Sequence, residues 1–520
     1  MTNWRFYGRQ EELERLTRLL SSRLFCTHSV SGRRGVGKAS LLREVAARRR
    51  GDPPLVHCEL PEPVDGGSEA LAEILARAVE VAGLAGLHAR LLPTLKRRLP
   101  QFRFCEMVGR LIESGVIVAL DEFHHARKLG LESQIKLMID TFRFAKRVSS
   151  VNPQRCGKLF LLGSHQQQML RMFLSDRPLH LRVDSGSSLR QWRIPTVLEM
   201  AAEQRLLDRP GRFLTLWTAF GGMPGHWERF ATHDEWAKLR DFDALDDDRA
   251  WRAAFIEAEL NHLESVPEDR YDNRAFVELT PEGRQILLHL GRGRRRGCTI
   301  GEFPPEMSKR AEQTLEDSLD VLEGHLELVG PVWEFLGPTK RWRVIDNNTQ
   351  FQIDVMPAGR GKSRRTGLDD PDGVSWQELA LRRLETHEGA ALEKLTTAWL
   401  VEAPGVNWAR QGVWLPGVPD IDAMAFAGKG KDRKLLLASC KRNAGKHDPA
   451  KQRQQFEEFM AALDVAGKRE RADAIRGMPR RLMLVSPTFT AADRERLAIA
   501  GFECVGIRDM ARSLGIEADC

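Results

Sequence analysis

The sequence lacks several features that would place the protein in a special class. No apolar run approaches the ~20 residues that a membrane-spanning helix requires, and the longest, around Val116–Leu120, has the length of a strand. The first segment, MTNWRFYGRQEELERL, is charged from its start and lacks the apolar stretch of a signal peptide. The eight cysteines form neither a CxxC pair nor a zinc-binding spacing, which indicates reduced thiols. We therefore expect a cytoplasmic protein without a membrane partner.

The length and the charge of the chain indicate several domains and a polyanionic partner. Its 520 residues exceed what one compact core holds, so roughly two to four domains are expected. The formal net charge of +7 favours a nucleic-acid partner, and DNA is the one that we expect. Basic residues concentrate in Lys96–Arg98, Arg292–Arg296 and Arg360–Arg365, although solvated loops and a linker would show the same pattern.

The pattern of apolar residues divides the chain into four blocks and a linker. Residues 1–190 alternate strand-like runs with helical patterns, which predicts a parallel α/β sheet. The predicted strands in this block are Leu24–Ser29, Leu55–Glu59, Gly115–Leu120 and Lys158–Gly163. Residues 191–260 lack strand signals and are predicted to be a helical extension.

The remaining blocks are predicted from helix-start and turn signals. Residues 261–355 are expected to form a winged helix-turn-helix, because Thr280-Pro281-Glu282 is typical of a helix start. Its predicted elements are the helices Pro281–Leu290 and Met307–Gly324 and the short strands Leu326–Val329, Val332–Leu336 and Arg341–Ile345. Residues 356–372 are rich in Pro, Gly and charge and are predicted to be a linker, and residues 373–520 to be a second α/β domain.

The segment GRRGVGK, from Gly32 to Lys38, fits the phosphate-binding pattern GxxxxGK between a predicted strand and a predicted helix. Glycines let the backbone fold so that successive N–H groups point at phosphate oxygens. Lys38 would reach the β- and γ-phosphates of ATP. The alternative is a glycine turn that happens to precede a lysine. The residues that we expect to contact the nucleotide here are Gly32, Gly35, Val36, Gly37, Lys38, Ala39 and Ser40.

The residue after the P-loop lysine departs from the pattern. A Ser or Thr is expected there, because its hydroxyl ligates Mg²⁺, but this position holds Ala39. Ser40 follows, about 100° further around the helix, so its hydroxyl should not point at the same place. Nucleotide binding should survive this change, whereas hydrolysis is expected to be slow.

A second apolar strand ends in two carboxylates, Asp121 and Glu122. A buried parallel strand delivers them at its C-terminal end, where α/β folds bind their ligands. We expect Asp121 to hold Mg²⁺ and Glu122 to orient and deprotonate the attacking water. Ser164 ends another strand and is predicted to contact the γ-phosphate, with a plain strand-end serine as the alternative.

These motifs together resemble the archaeal-type ATPase family, which belongs to the signal-transduction (STAND) P-loop NTPases related to AAA+ proteins. The segments that carry the resemblance are FYGRQEEL at the start, GRRGVGK, ALDEF, LLGSH, PLHLR (178–182), GGMP (221–224) and RWRVID (341–346). The resemblance implies an ATP-driven switch, and it implies that Arg9 lies near the base and ribose and that Arg182 senses phosphate. It further implies a role in defence against foreign DNA or in mobile-element maintenance.

Members of this family often end in a restriction-endonuclease-like domain with a PD-(D/E)XK core, and the last block has matching chemistry. Asp420 and Asp422 share one face of a predicted strand, and Ser439 and Lys441 share one face of the next. Phosphodiester hydrolysis needs carboxylates to hold Mg²⁺ and a cation to lower the pKa of the attacking water. Glu378, Asp422 and Lys441 are the predicted catalytic residues, with Glu378 and Asp422 as metal ligands. The family pattern has Glu or Asp where Ser439 stands. Either Asp420 on the neighbouring strand compensates for this missing carboxylate, or the site is inactive.

The predicted function is that of an ATP-binding switch that acts on DNA through a nuclease-like domain. The alternative is a catalytically inactive, nucleotide-dependent DNA-binding regulator or assembly platform, because both sites depart from their pattern at a metal ligand. The sequence therefore allows ATPase activity with metal-dependent DNA cleavage, and it also allows the inactive alternative. It leaves open whether the protein associates with itself or with another protein.

Overall fold

The chain divides into two compact units, residues 4–190 and residues 191–520. The structure is a computed structural model. It describes residues 4–22, 24–49, 53–62, 70–84, 86, 99–148, 157–164, 169, 171–241, 247–265, 281–291, 297–304, 307, 312–324, 327–335, 339–356, 375–415, 417–463 and 469–517. The three basic segments predicted to contact DNA, Lys96–Arg98, Arg292–Arg296 and Arg360–Arg365, lie outside the described residues.

The first unit is built on a parallel five-stranded sheet with the strand order β2-β3-β4-β1-β5. Its strands are β1 Thr27–Ser31, β2 Leu55–Glu59, β3 Ile117–Asp121, β4 Lys158–Gly163 and β5 Ser185–Ser188. The longer helices around it are α1 Gln10–Ser21, α2 Lys38–Arg48, α3 Leu71–Val81, α4 Pro100–Glu113 and α5 Glu132–Val148. The predicted parallel α/β sheet is confirmed. Its central strands are apolar and buried on both faces, as expected for a parallel sheet covered by helices.

The strand at the edge of this sheet was not predicted. The segment that forms β5, SGSS, contains no apolar residue, so it carries no strand signal. His28 on β1 holds it in place, since its Nδ1 lies 2.6 Å from Ser185 Oγ and its Nε2 lies 2.9 Å from Ser187 Oγ. Burial, together with the charge of Arg15, lowers the pKa of His28 to about 4, so the ring is neutral at pH 7. The strand β1 begins at Thr27, three residues later than predicted.

The second unit begins with helices. These are α6 Ile194–Glu203, α7 Pro210–Phe220, α8 Pro224–Thr232, the single turn α9 Ala237–Arg240, and α10 Asp248–Ser265. Buried aromatic rings hold them together: Phe220 contacts Trp227, Phe230 and Phe255 at centroid distances of 5.4, 6.2 and 5.9 Å. Within the described residues, no helix combines the length and apolar character needed to cross a membrane.

The next segment contains helices α11 Pro281–Gly291 and α12 Glu312–Gly324, the antiparallel strands β6 Val329–Trp333 and β7 Lys340–Val344, and helix α13 Asn347–Asp354. Where three short strands were predicted, the described residues form two, because residues 329–333 are one continuous strand. Gly330-Pro331 resembles a break, but a two-stranded hairpin has only edge strands, where proline is tolerated. Buried Leu287, Leu319 and Trp342 belong to one apolar core that these elements share.

The last segment is an α/β layer with the strand order β12-β11-β10-β9-β8. Strands β8, β9 and β10 pair antiparallel, whereas β10, β11 and β12 pair parallel. The strands are β8 Val406–Val413, β9 Ile421–Ala427, β10 Lys434–Cys440, β11 Arg480–Val485 and β12 Glu503–Val505. The helices are α14 Trp376–Glu402, α15 Pro449–Ala461, α16 Arg469–Arg476, α17 Ala491–Ile499 and α18 Ile507–Ser513.

Side chains alternate along β10, so its odd-numbered and even-numbered residues lie on opposite faces of the sheet. Leu435 and Leu437 belong to the same buried core as Phe456 and Phe459 of α15. On the other face, Cys440 Sγ lies 3.4 Å from Thr396 Oγ1 of α14. The two helices therefore cover opposite faces of the sheet, and the end of β10 lies between them.

A buried charge network joins α14 to the helices at the start of the unit. Glu388 is completely buried, and its Oε1 accepts a hydrogen bond from Arg252 Nε at 3.0 Å and one from Thr215 Oγ1. Arg442, just after β10, places its Nε 2.5 Å from the other oxygen of Glu388. One carboxylate thus connects α7, α10, α14 and the end of β10.

Candidate functional site

The loop Gly32–Lys38 joins β1 to α2 at the C-terminal edge of the first sheet. Gly35 and Gly37 have φ values of 76° and 92°, a region that favours glycine. A Cβ atom on Gly32 would lie 2.6 Å from the main-chain oxygen of Leu189, which is closer than real atoms approach. The glycines are thus required by the backbone path of the loop.

Lys38 closes the loop over its own backbone. Its Nζ donates to Gly32 O at 2.9 Å, to Arg33 O at 3.2 Å and to Ser164 Oγ at 2.9 Å. The side chain is 6% exposed. The ammonium group is therefore held in the mouth of the loop, where a bound phosphate would exchange with these acceptors.

The two predicted acids follow directly from β3. Asp121 is its last residue, and Glu122 adopts a left-handed conformation with φ 48°, which turns the chain sharply at the strand end. Ser164 Oγ donates to Glu122 Oε1 at 3.3 Å. Because β4 lies between β1 and β3, Ser164 at its end bridges Lys38 and Glu122. The structure thus brings together a cation, a hydroxyl and a carboxylate predicted from three separate motifs.

Two histidines that the sequence analysis did not consider complete this edge of the sheet. His57 Nε2 lies 2.9 Å from Asp121 Oδ2, and His124 Nδ1 lies 3.3 Å from Glu122 Oε2. Burial alone would raise the pKa of Asp121, but the hydrogen bond with His57 and the charge of Lys38 outweigh it and lower that pKa. Asp121 is therefore a carboxylate at neutral pH. His57 could be recognised only once β2 was known to pair with β3, since strand order is not written in local sequence.

The predicted magnesium site has one protein carboxylate and lacks the usual hydroxyl. Ala39 is the second residue of α2 and has no oxygen in its side chain, and Ser40 follows it in the same helical turn. Mg²⁺ is commonly held by one or two carboxylates together with substrate phosphates and water. The ionised Asp121 fits that role, so the residues present fit a metal bound mainly through the nucleotide.

The two arginines assigned by resemblance have different surroundings. Arg9 reaches the P-loop, because its Nη2 donates to Val36 O at 3.1 Å. Arg182 is paired with Asp140, whose Oδ1 lies 2.5 Å from its Nε. Arg9 is therefore part of the loop's support, whereas Arg182 is occupied by a neighbouring acid.

A second set of predicted residues meets at the end of β10 in the C-terminal sheet. Asp422 Oδ2 accepts hydrogen bonds from the N–H of Cys440 at 2.7 Å and from Ser439 Oγ at 3.3 Å. Lys441 Nζ lies 4.0 Å from the same oxygen. The predicted aspartate, serine and lysine are therefore neighbours, but one oxygen of the aspartate already serves the protein's own donors.

The structure does not bring Glu378 into this cluster. Its carboxylate accepts hydrogen bonds from Arg382 Nε at 3.0 Å and from Arg249. Thr396, which contacts β10, lies 18 residues further along the same helix, about 27 Å away at about 1.5 Å per residue. Within the described residues, no group of three or more His, Cys, Asp or Glu side chains could hold a metal ion.

Comparison with known proteins finds a family similarity in the N-terminal part of the chain. The family model of the AAA ATPase domain matches residues 5–150. A search of curated proteins finds no match. Solved structures that align with the chain include the Aeropyrum pernix ORC2 protein in its ADPNP–ADP complexes, with 14% identity over 68% of this chain and 95% of that chain and a TM-score of 0.43. Others are Cdc6p from Pyrobaculum aerophilum (15% identity, 71% and 98% coverage, TM-score 0.29) and Drosophila ORC bound to DNA (15%, 70% and 97%, TM-score 0.32).

Residues 5–150 are thus similar to the AAA ATPase domain family, and the loop and acids described above lie within the matched residues. A domain of this type binds a nucleotide at its P-loop. The predicted nucleotide cofactor is therefore supported by the match as well as by the contacts of Lys38.

Proposed function

We propose that this protein is an ATP-binding switch that acts on DNA through a C-terminal domain similar to restriction endonucleases. The contact of Lys38 with Ser164, which in turn contacts Glu122, carries the proposal. These side chains come from the P-loop and from the ends of β3 and β4, so a nucleotide bound at the loop would touch all three elements at once. A ligand that changes the partners of three elements can shift the equilibrium between two conformations.

The chemistry of this site is phosphoryl transfer to water at a low rate. Lys38 would leave its loop carbonyls to neutralise the β- and γ-phosphates, and Ser164 would donate to the γ-phosphate. Glu122 is 3.3 Å from Ser164 and would accept a proton from the attacking water. Mg²⁺, held by Asp121 and the phosphates, would neutralise charge that develops on the phosphate oxygens. Because position 39 has no hydroxyl, a bound metal would have one protein ligand fewer than in the usual pattern, and we expect turnover to be slow.

The effector would be the sheet of the last segment. We base this assignment on its element order, α14 followed by β8, β9, β10, α15 and β11, which resembles that of the PD-(D/E)XK core. Asp422 near the start of β9 and Lys441 just after β10 lie at the same end of this antiparallel pair. This layout supports membership of the archaeal-type branch of STAND ATPases. The helices α11 and α12 with the hairpin β6-β7 would be its winged helix. Defence against foreign DNA, or mobile-element maintenance, would be the corresponding biology.

A second candidate is a regulator that binds nucleotide and DNA without cutting. The geometry around Asp422 favours it: Ser439 replaces a carboxylate, Oδ2 is engaged by Cys440 and Ser439, and Glu378 is bound to arginines elsewhere. A metal would have to compete with these donors for a single carboxylate. We therefore leave Glu378 out of the proposed catalytic set and keep Asp422 and Lys441.

Both candidates are tested by one set of assays on the full chain. ATP affinity, phosphate release, and binding and nicking of plasmid DNA are measured with Mg²⁺ or Mn²⁺. Lys38→Ala should abolish ATP binding, and DNA binding should change with nucleotide in the parent chain only. Nucleotide-independent DNA binding, or ATP affinity that survives Lys38→Ala, would contradict the switch.

Lys441→Ala separates the two candidates. Nicking that disappears in Lys441→Ala but persists in Lys434→Ala, a change at the other end of the same strand, supports a nuclease. DNA binding without nicking in all three proteins supports the regulator. Nicking that is equal in all three would assign cleavage to something other than this site.

A further inference from the structure

The unit formed by residues 191–520 contains a cavity with an unusual concentration of positive charge. Its volume is about 390 Å³, and it lies where the turn after α7, strand β7, helix α14 and strand β8 meet. Arg343, Lys394 and Arg410 line it, each from a different element. All of its lining residues are described ones, and none is an Asp or a Glu.

Arg343 is oriented towards β8 but retains hydrogen-bonding capacity. Its Nη2 donates to Gln411 Oε1 at 2.6 Å. Its buried Nε has no hydrogen-bond partner among the described residues. A buried donor without an acceptor costs free energy, so an acceptor at this place would be favourable.

The other two cations are also incompletely paired. Lys394 donates from Nζ to Ile345 O at 3.1 Å, and an ammonium group has three N–H donors. The guanidinium of Arg410 lies over the ring of Trp408, at 5.9 Å from its centroid, and this contact uses none of its N–H donors. The cavity therefore offers donors on three cationic side chains.

The positive charge of Arg343 repels those of Lys394 and Arg410. Burial and the charge of Arg343 lower the pKa of Lys394 to about 8, against the pull of Asp346, Glu393 and Asp354. Burial likewise lowers the pKa of Arg343 to about 10, against the pull of Glu393 and with a further contribution from the charge of Arg410. A bound anion would relieve this repulsion, because it favours the charged form of every nearby base.

Two glycines form part of the wall and keep it free of side chains. Gly221 has a φ of 54°, and a Cβ atom on Gly222 would lie 2.5 Å from the main-chain oxygen of Trp192. The turn GGMP, which the nucleotide site does not use, thus has a structural reason to contain both glycines. It lets the turn after α7 lie close to the main chain of Trp192.

We propose that this cavity binds a small ligand through a phosphate group, with Arg343, Lys394 and Arg410 as the contacts. Guanidinium and ammonium groups from three directions match the oxygens of one tetrahedral dianion. The volume lies in the range of about 300–1,000 Å³ that holds small molecules in proteins. Since the lining residues come from the helical segment, the hairpin and the C-terminal sheet, such a ligand would join these three parts of the second unit.

The test uses calorimetric titration of the full chain carrying Lys38→Ala, which removes the lysine of the P-loop. Adenosine 5′-monophosphate should bind, and adenosine, which lacks the phosphate, should not. Arg410→Gln should weaken the binding roughly 10- to 100-fold, the effect of losing a hydrogen bond to a charged group. Lys434→Gln, an equal loss of charge at an exposed strand start, should have no effect.

The pH dependence provides a second readout that does not depend on Arg410. The phosphate monoester is fully ionised above about pH 7, because its second pKa is about 6. Affinity should therefore fall as the pH rises through about 8, where Lys394 loses its proton, and Lys394→Met should remove this fall. Equal affinity for adenosine, equal affinity in Arg410→Gln, or binding of duplex DNA but not of the mononucleotide at this site would overturn the proposal.

Discussion

A serine at position 39 would test whether the missing hydroxyl limits ATP hydrolysis. Ala39 is the second residue of α2 and is partly exposed, so Ala39→Ser adds one atom where there is room for it. Serine costs at most about 0.5 kcal/mol relative to alanine in a helix, which leaves the fold intact. The hydrogen bond with His57 and the charge of Lys38 lower the pKa of Asp121, so the carboxylate is ionised and the new hydroxyl would complete a pair of protein ligands for Mg²⁺.

The size of the effect follows from the role of metal ligands. Removal of a group that only supports a ligand costs about 10–100-fold in metal affinity or activity. A direct ligand should contribute no less, so we predict that ATP turnover rises at least about tenfold, or ~1.4 kcal/mol in the barrier. The assay is phosphate release during a Mg²⁺ titration at saturating ATP. The half-saturating Mg²⁺ concentration should fall together with the rise in rate.

Ser40→Ala is the matched control, since its side chain points about 100° away around the helix. Ser40 is expected to contact the nucleotide through its main chain, which this substitution keeps, so turnover should be unchanged in both the parent and the Ala39→Ser protein. If Ala39→Ser has the same Mg²⁺ dependence as the parent, the reasoning is refuted. Loss of activity in Ser40→Ala would also refute it, because the neighbouring hydroxyl would then already serve the metal.

Three further predictions concern side chains whose contacts are visible in the structure. Ser164→Ala should lower kcat for ATP by about 10- to 100-fold with little change in nucleotide affinity, because it removes one hydrogen bond to the reacting phosphate; an unchanged kcat would contradict its role. Glu388→Gln should destabilise the second unit by about 3–5 kcal/mol in urea unfolding, since it leaves buried arginines without their counter-charge. Glu385→Gln, at a half-exposed carboxylate, should cost under ~1 kcal/mol, and equal costs would show that the buried network is not special. Gly222→Ala should cost about 1–3 kcal/mol in the same assay, because its new atom meets a main-chain oxygen at 2.5 Å. Gly324→Ala, where nothing lies within 4 Å, is its control, and similar losses in both would contradict the steric account.

The elements of the fold were predictable where local pattern decides them. The strands β2 and β4 have the predicted bounds, because each is an apolar run that ends in a polar residue or glycine. The strand β5 was not predictable, since its three serines and one glycine carry no strand signal and are extended through their pairing with β1 and the contacts with His28. Three strands were predicted around residues 326–345, whereas the described residues form two, β6 and β7. The reason is related: pairing with β7, rather than the local Gly-Pro pair, decides whether residues 329–333 remain extended.

The predicted sites show the same division. The P-loop, Asp121, Glu122 and Ser164 follow from short motifs, because their chemistry requires residue types at fixed spacing. The histidines beside the two acids carry no such signal and depend on the order of the strands. In the C-terminal sheet, Asp422 and Lys441 meet because adjacent strands place them together, whereas Glu378 lies at the far end of a long helix. Its place near the helix start is visible in the sequence, but its distance from β10 is not.

The amino-acid sequence by itself determined the phosphate-binding loop, the acids that follow the buried strand and the alternation of helices and strands. Each of these depends on residues within about one element of one another, and their physics is local: glycine conformational freedom, strand burial and helix periodicity. The tertiary structure alone decided which charged groups face each other. Three features join residues from separate elements: the cluster of Arg343, Lys394 and Arg410, the burial of Glu388 beside arginines, and the hydrogen bonds of Asp422 with donors of β10. Electrostatic energies depend on distance and burial, and neither quantity exists until the chain has folded.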